Sequence, residues 1–209
     1  MSWGRILNYW LAIVCIVFLT QCSEARTETP TDQVNMGASA SLEAQQNNQT
    51  LLKQGEHLVL IAGCHDCHTP KKMTDKGPVN DMSRALSGHP ANMPPPDVDR
   101  AEMEKKGLAV TQTLTSWVGP WGISYSSNLT SDKTGIGNWT EKNFFLAIRE
   151  GKHKGMENGR MLLPPMPWEM IANMTDEELR AVFAYLKSTK PINNVVPAAQ
   201  PPVSAGPDK

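Results

Sequence analysis

The stretch "GCHDCHTP", residues 63–70, decides how the rest of the chain is read. Two cysteines lie three positions apart, and a histidine follows each. Residues at that spacing share one side of a helical turn, so Cys64 and Cys67 present two sulfurs in one direction. C-x-x-C-H is the attachment motif of c-type haem, whose two vinyl groups lie on one porphyrin edge within reach of such a sulfur pair. On that reading His68 projects under the ring and offers a neutral imidazole nitrogen to the iron. His65 lies between the cysteines and points away, as a solvent-facing polar residue.

Other readings compete. A thioredoxin-like dithiol wants a strand before the motif, in a βαβ context; here a helical pattern precedes it. A structural zinc site needs four ligands, usually as two spaced pairs. There is no second close cysteine pair, and His57, His89 and His153 are scattered. A disulfide across so short a loop would add little stability, because the closure gain grows with loop length. A chance match is the remaining alternative.

A second axial ligand has to come from a distance. In "LLPPMPW", residues 162–168, Met166 has Pro164 and Pro165 before it and Pro167 after it. Proline fixes its own φ and holds the preceding residue extended. The thioether therefore has few directions open to it and loses little entropy on reaching iron. Met161, Met170, Met174, His89 and His153 are the rivals. A thioether ligand favours ferrous iron and raises the potential.

The chain has 209 residues, enough for one domain with a core and some extensions. Twenty basic and 21 acidic residues give a formal charge of -1. No basic run exceeds two residues, so nothing argues for nucleic acid. Arg5 precedes an apolar run at 6–19, too short for a spanning helix of about 20 residues and suited to an export signal. It ends in "LTQC", which resembles a bacterial lipobox; cleavage before Cys22 would leave that cysteine lipidated. Plain secretion and an uncleaved anchor are the other readings. All three place the rest outside the cytoplasm, with the bacterial periplasm and a membrane anchor through Cys22 as the expected setting.

Four segments follow. Residues 1–21 read as the signal and 22–48, poor in large apolar residues, as a disordered tether. Residues 49–190 form the domain, and 191–209 a Pro-rich disordered tail. Within the domain, "QTLLKQGEHLVLIAG" reads as a helix stopping at Gly63, and "DMSRAL" as a short one. "PPPDVDRAEMEKKG" reads as extended, then a turn or two of helix. "LAVTQTLTSW" and "WGISYSS" read as a small hairpin. Thr140 starts "EKNFFLAIRE", and Thr175 with Glu178 makes a capping box for "DEELRAVFAYLKS". Gly55 would let Tyr185 of that last helix come close. The fold class is mainly α with a small β-hairpin insertion. "SDKTGIG" reads as a Gly-rich turn rather than a calcium loop.

With these residues in hand the chain resembles class I monohaem c-type cytochromes. More narrowly, it is similar to the cytochrome c subunits of bacterial membrane-bound alcohol and gluconate dehydrogenases. The resemblance rests on "AGCHDCHTP", "WGISYSSNLTSDKTGIGNWT", "LAIREGKHKG", "GRMLLPPMPW" and "MTDEELRAVFAYLKS", in that order. It implies a cytochrome c fold, helices packed around one covalent haem c. It also implies Cys64 and Cys67 as covalent attachment points and His68 and Met166 as axial ligands. Arg160, Trp139, Tyr125 and Asn128 are candidates for the haem pocket and its propionates.

The function so implied is single-haem electron transfer between redox partners outside the cytoplasm: a dehydrogenase, a respiratory complex or an oxidase. It needs no catalytic residue of its own. The alternatives are a cytochrome subunit within a membrane-bound dehydrogenase complex and a haem-based ligand sensor. A haem-free binding module is a third class. Lys71, Lys72, Lys152 and Lys154 could form a rim that steers an acidic partner.

Overall fold

Short local signals set the order of the elements. The computed structural model of the protein describes residues 30–206, with side-chain burial from residue 40 onward. The expected signal segment 1–21 and the expected lipidation site Cys22 lie outside the described residues. The chain divides into two units, residues 1–44 and 45–209. The described part of the first is the beginning of helix α1 (Pro30–Ile61). Among the described residues, no helix is long and apolar enough to cross a membrane.

In the second unit α1 ends before Gly63, whose φ of 67° breaks the helix and starts α2 (Cys64–His68). Strands β1 (Lys71–Thr74) and β2 (Gly77–Asn80) follow as an antiparallel hairpin. Residues 82–84 form one 3-10 turn, capped by Asp81. Helix α3 (Arg100–Lys106) begins on the Asp99 side chain, which accepts from the Glu102 amide. Strands β3 (Ser116–Gly119) and β4 (Gly122–Tyr125) make the second hairpin, in the place expected from the β-branched and aromatic pattern. Helices α4 (Glu141–Arg149), α5 (Trp168–Ile171) and α6 (Asp176–Ser188) complete the set.

Thr140 and Thr175 start α4 and α6 by the same device. Each threonine side chain accepts from the amide three residues on, and Asn143 or Glu178 reaches back to the cap amide. Two otherwise unpaired donors are satisfied at each end, which stabilises a helix start by about 1 kcal/mol. Arg149 then ties α4 to the Ala172 carbonyl and to Asp176 at 2.6 Å. Arg180 of α6 meets Glu141 of α4 at 3.1 Å.

The apolar faces of α1, α4 and α6 make one core. Leu58, Val59, Phe144, Ile148, Leu179, Val182 and Leu186 are all buried there, with Leu86 and Ile136 from the intervening loops. Burial of each such side chain contributes about 1.5–3 kcal/mol. Gly55 sits where α1 meets α6. A Cβ at Gly55 would lie 2.0 Å from the Ala181 carbonyl oxygen and 2.7 Å from Tyr185 Cβ. The expected close approach of Tyr185 is therefore observed, and the glycine is what permits it.

The structure differs from the sequence reading at three places. Residues 30–48, read as disordered tether, are helical. Missing apolar residues imply the lack of a core-facing stripe, not of a helix. Pro30 at the first helical position and the Ala, Gln, Leu and Glu that follow all favour helix. The β1–β2 hairpin was not expected, since "KKMT" and "GPVN" lack the β-branched alternation of a buried strand. Finally, the Pro-rich tail is packed rather than disordered over its described part. Asn194 is buried. Its Nδ2 donates to the Ser87 carbonyl at 2.7 Å and the His89 carbonyl at 2.9 Å, and its Oδ1 accepts from the Ala91 amide at 3.0 Å. Gln200 pairs with Ile123 through two backbone bonds. Arg100 donates to the Gln200 side chain and to the Pro201 carbonyl, and Glu104 accepts from the amides of Val203 and Ser204. Gly122 makes this possible: its φ is +97°, and a Cβ there would meet the Gln200 carbonyl at 2.0 Å.

Two outcomes follow for stability. Gly55→Ala should lose about 2–3 kcal/mol by overpacking α1 against α6. The urea midpoint would drop with no change in slope. Asn194→Ala should cost about 2–4 kcal/mol, because buried carbonyls and an amide lose their partner. A thermal midpoint equal to that of the parent protein would show that the tail carries no stability.

Candidate haem-attachment site

The motif turn is fixed from three directions. Leu86 N–H donates to Thr69 Oγ1 at 3.0 Å, Gly88 N–H to the His68 carbonyl at 2.8 Å, and Lys71 Nζ to the carbonyls of Asp66 (2.7 Å) and Thr69 (2.8 Å). The last contact places a cation at the C-terminal end of α2, where the unpaired carbonyls of a helix favour it. It also removes Lys71 from the expected docking rim. Lys72 and Lys154 are exposed, and Lys152 is partly so.

Cys64 and Cys67 carry free thiols on one face of α2. Burial pushes the Cys64 thiol up to about 11, and burial followed by the Asp66 charge also raises Cys67. A dithiol oxidoreductase relies on a depressed thiol pKa. The surroundings here do the opposite, against the redox-disulfide reading. Among the described residues there is no group of three or more His, Cys, Asp or Glu that could hold a metal ion.

His68 is buried and its Nδ1 lies 2.8 Å from the Ser127 carbonyl. A carbonyl only accepts, so Nδ1 carries the proton and Nε2 the lone pair. Burial lowers the imidazole pKa, with the Ser127 carbonyl acting in the opposite sense. The neutral form, the one that can ligate iron, is favoured. His65 is otherwise engaged: its Nδ1 lies 2.9 Å from Thr69 Oγ1. That oxygen also accepts from the Leu86 amide, so it ties the His65 ring to the same turn.

Met166 is partly buried and packs against the same core as Cys64. The two halves of the expected site, distant in sequence, thus border one apolar cluster. The loop carrying Met166 is tied to β4 by Ser124, whose hydroxyl donates to the Pro164 carbonyl at 2.6 Å. His89 is removed from the rival ligands. Its Nε2 donates to the Met93 carbonyl and its Nδ1 meets Thr115 Oγ1, both at 2.9 Å. His153 is brought down to about 4, by burial first and then by Arg160 and Lys154. His57 is exposed on α1.

The pocket candidates divide. Trp139 is partly buried and packs against the same core. Tyr125 is partly buried with its ring 4.9 Å from that of His89, and burial raises its phenol pKa. Arg160 is exposed and donates to the carbonyl of its neighbour Met161. Asn128 is buried but occupied: Nδ2 donates to Thr134 Oγ1 and the Ile192 carbonyl, and Oδ1 accepts from the amide and hydroxyl of Thr130. Both amide hydrogens are used inside the protein, so its role is to hold the 128–134 turn against the tail.

Sequence reading missed Ser127, Ser124 and Trp121. Ser127 acts through its carbonyl, which every residue has, so no side-chain signal marks it. Ser87 Oγ and Ser126 Oγ are buried without a hydrogen-bond partner. Both flank the segments that touch His68. The donor set fits a covalently attached haem: two sulfurs on one turn, a neutral imidazole with its Nδ1 already bound, and a thioether on the same core.

No family model matches the chain. It is 31% identical over 162 residues to the gluconate 2-dehydrogenase cytochrome c subunit of Pantoea cypripedii, covering 77% of this chain and 27% of that protein. It is 38% identical over 153 residues to the fructose dehydrogenase cytochrome subunit of Gluconobacter japonicus, covering 72% and 24%. The alcohol dehydrogenase (quinone) cytochrome c subunit of Gluconobacter oxydans matches at 29% over 161 residues, covering 76% and 25%. The chain is a homologue of dehydrogenase cytochrome c subunits. It spans about a quarter of the length of these relatives.

In the haem-loaded protein, His65→Ala should leave the low-spin ferric spectrum unchanged, since its ring is engaged by Thr69. His68→Ala should abolish that spectrum. Absorption spectra of the two purified variants check both.

Proposed function

We propose that this chain is an exported, single-haem c-type cytochrome that carries electrons between redox proteins outside the cytoplasm. The observation that carries the reading is the buried His68, proton on Nδ1 and held by the Ser127 carbonyl, on the same turn as two cysteines. Cys64 and Cys67 would hold the haem covalently, and His68 and Met166 would fill its two axial positions. Haem supplies the one-electron couple when bound. The chain's own part is to fix both ligands, exclude water and present the site to a partner. With both positions filled, the site suits a carrier better than a sensor or an enzyme that must bind a small molecule at iron.

The second reading is an electron-transfer subunit within a dehydrogenase complex, favoured by what the relatives are named for. The lipid anchor at Cys22, the periplasm and the single haem belong to the proposal as well, with "LTQC" and the one C-x-x-C-H motif as their support.

Expression in a host with a c-type maturation system should yield one covalently bound haem by denaturing haem stain and intact mass. The reduced protein should fail to bind carbon monoxide rapidly. Met166→Ala should convert it to rapid, stoichiometric binding. Rapid binding by the parent protein would sink the carrier reading, and absence of covalent haem would sink all of it. Intact mass of the membrane-extracted protein should show lipid on Cys22, and Cys22→Ser should remove it.

A further inference from the structure

The segment running from β4 into Asn128 makes contact with both halves of the site. At one end the Ser127 carbonyl accepts from His68. At the other, Ser124 Oγ lies 2.6 Å from the Pro164 carbonyl and 3.0 Å from Trp121 Nε1. The directions of these bonds are unambiguous. An indole N–H can only donate and a carbonyl can only accept. Ser124 therefore takes a proton from Trp121 and gives its own to Pro164. Ser124 is 6% exposed, so water competes poorly for either bond.

The indole is itself held. A Cβ built at Gly119 would lie 2.7 Å from the Trp121 ring, so the ring lies flush on the hairpin backbone. Beyond the hairpin, Gln200 of the tail pairs with Ile123, the residue before Ser124. The donor to Pro164 is thus backed by packed structure on both sides.

The receiving loop has few other attachments. Pro164, Pro165 and Pro167 have no amide hydrogen to offer. Met166 N–H donates within the loop, to the Leu163 carbonyl at 3.3 Å. Each proline fixes its own φ and holds the residue before it extended, so few free torsions separate the Pro164 carbonyl from Met166, and anchoring the carbonyl narrows the positions open to the methionine.

We propose that Ser124, backed by Trp121, is the positioning residue for Met166 and sets how often the thioether leaves the iron. The inference rests on the reading of Met166 as an axial ligand. Without the Ser124 hydroxyl the loop would swing out more often, by the factor that one net hydrogen bond supplies, about threefold to tenfold.

Exogenous imidazole is the probe. It binds ferric iron only while the methionine is away, so its apparent affinity reads the open fraction. In the full, haem-loaded chain Ser124→Ala should bind imidazole about threefold to tenfold more tightly. The methionine-to-iron charge-transfer absorption should also disappear at lower pH. Trp121→Phe keeps the ring and removes the donor, and should shift both readouts in the same direction by less. Ser124→Thr keeps the hydroxyl and should restore them. Ser87→Ala is the control, because that hydroxyl is equally buried but has no partner; it should shift neither. If Ser124→Ala does not load haem, Trp121→Phe carries the test alone. Imidazole affinity unchanged in these variants, or raised equally in Ser87→Ala, overturns the proposal. A separate result, no methionine charge-transfer absorption in the parent protein, overturns the axial reading and the proposal with it.

Discussion

The hydrogen bond from His68 to the Ser127 carbonyl is the constraint on which the site depends. It joins the motif turn to a segment that comes to it from β4. A histidine that could rotate, or exchange its proton between nitrogens, would be a poor axial ligand. Burial and a carbonyl acceptor remove both freedoms. The acceptor in turn needs its own support. His89 N–H donates to the Ser126 carbonyl at 2.9 Å, and Leu129 N–H to the Leu86 carbonyl at 2.8 Å. Residues 86–89 therefore lie between the motif turn and the 126–129 segment, bonded to each. Gly88 is at the tightest point: a Cβ there would meet the Ser126 carbonyl at 2.5 Å.

The tail belongs to this support rather than to solvent. Asn194 grips Ser87, His89 and Ala91 through its amide, and its own N–H donates to Thr134 Oγ1 at 3.0 Å. Ile192 offers its carbonyl to Asn128. One short stretch of chain thus closes the 86–91 segment against the 128–134 turn. Proline-rich segments lack donors but keep every carbonyl, so they dock through acceptors and the occasional amide side chain. That is why the tail looked unpacked in the sequence. Counting apolar residues finds segments that make a core, and this one is held by polar bonds.

Legibility follows the range of the interaction. The capping boxes at Thr140 and Thr175, the β3–β4 hairpin and the turn at "SDKTGIG" are encoded within a few residues, and all were readable. Asp132 accepts from the Thr134 amide and hydroxyl, which makes the last of these a side-chain-closed turn. Gly55 was readable because a glycine in a helix facing an aromatic stripe has few explanations. The motif itself was readable because two sulfurs at one spacing leave little choice of chemistry. Asn128 was a candidate donor to a haem propionate or a turn-forming residue; in the fold its amide hydrogens go to Thr134 and to the tail, a partnership between distant segments that the local sequence does not announce. Ser124 and Ser127 were not readable, because a serine in a strand and a backbone carbonyl carry no signature until the fold brings a partner.

On the proposed reading of His68 and Met166 as axial ligands, the contacts that hold both come from one stretch of chain, and this bears on what the site can do. A carrier gains or loses one electron and should change shape little when it does. Preorganised ligands meet that demand, because no group has to be rearranged as the charge changes. If His68 and Met166 hung from independent loops, thermal motion of either would change the ligand field separately. Here β4 and its extension touch both, and β4 is braced by β3 on one side and by Gln200 of the tail on the other. The motions that remain are shared by the two supports. A ligand sensor would gain from a loose sixth side and a firm fifth. The placement of Ser124 in β4 and Ser127 just beyond it works against that asymmetry, and favours a site built to pass charge rather than to bind a guest.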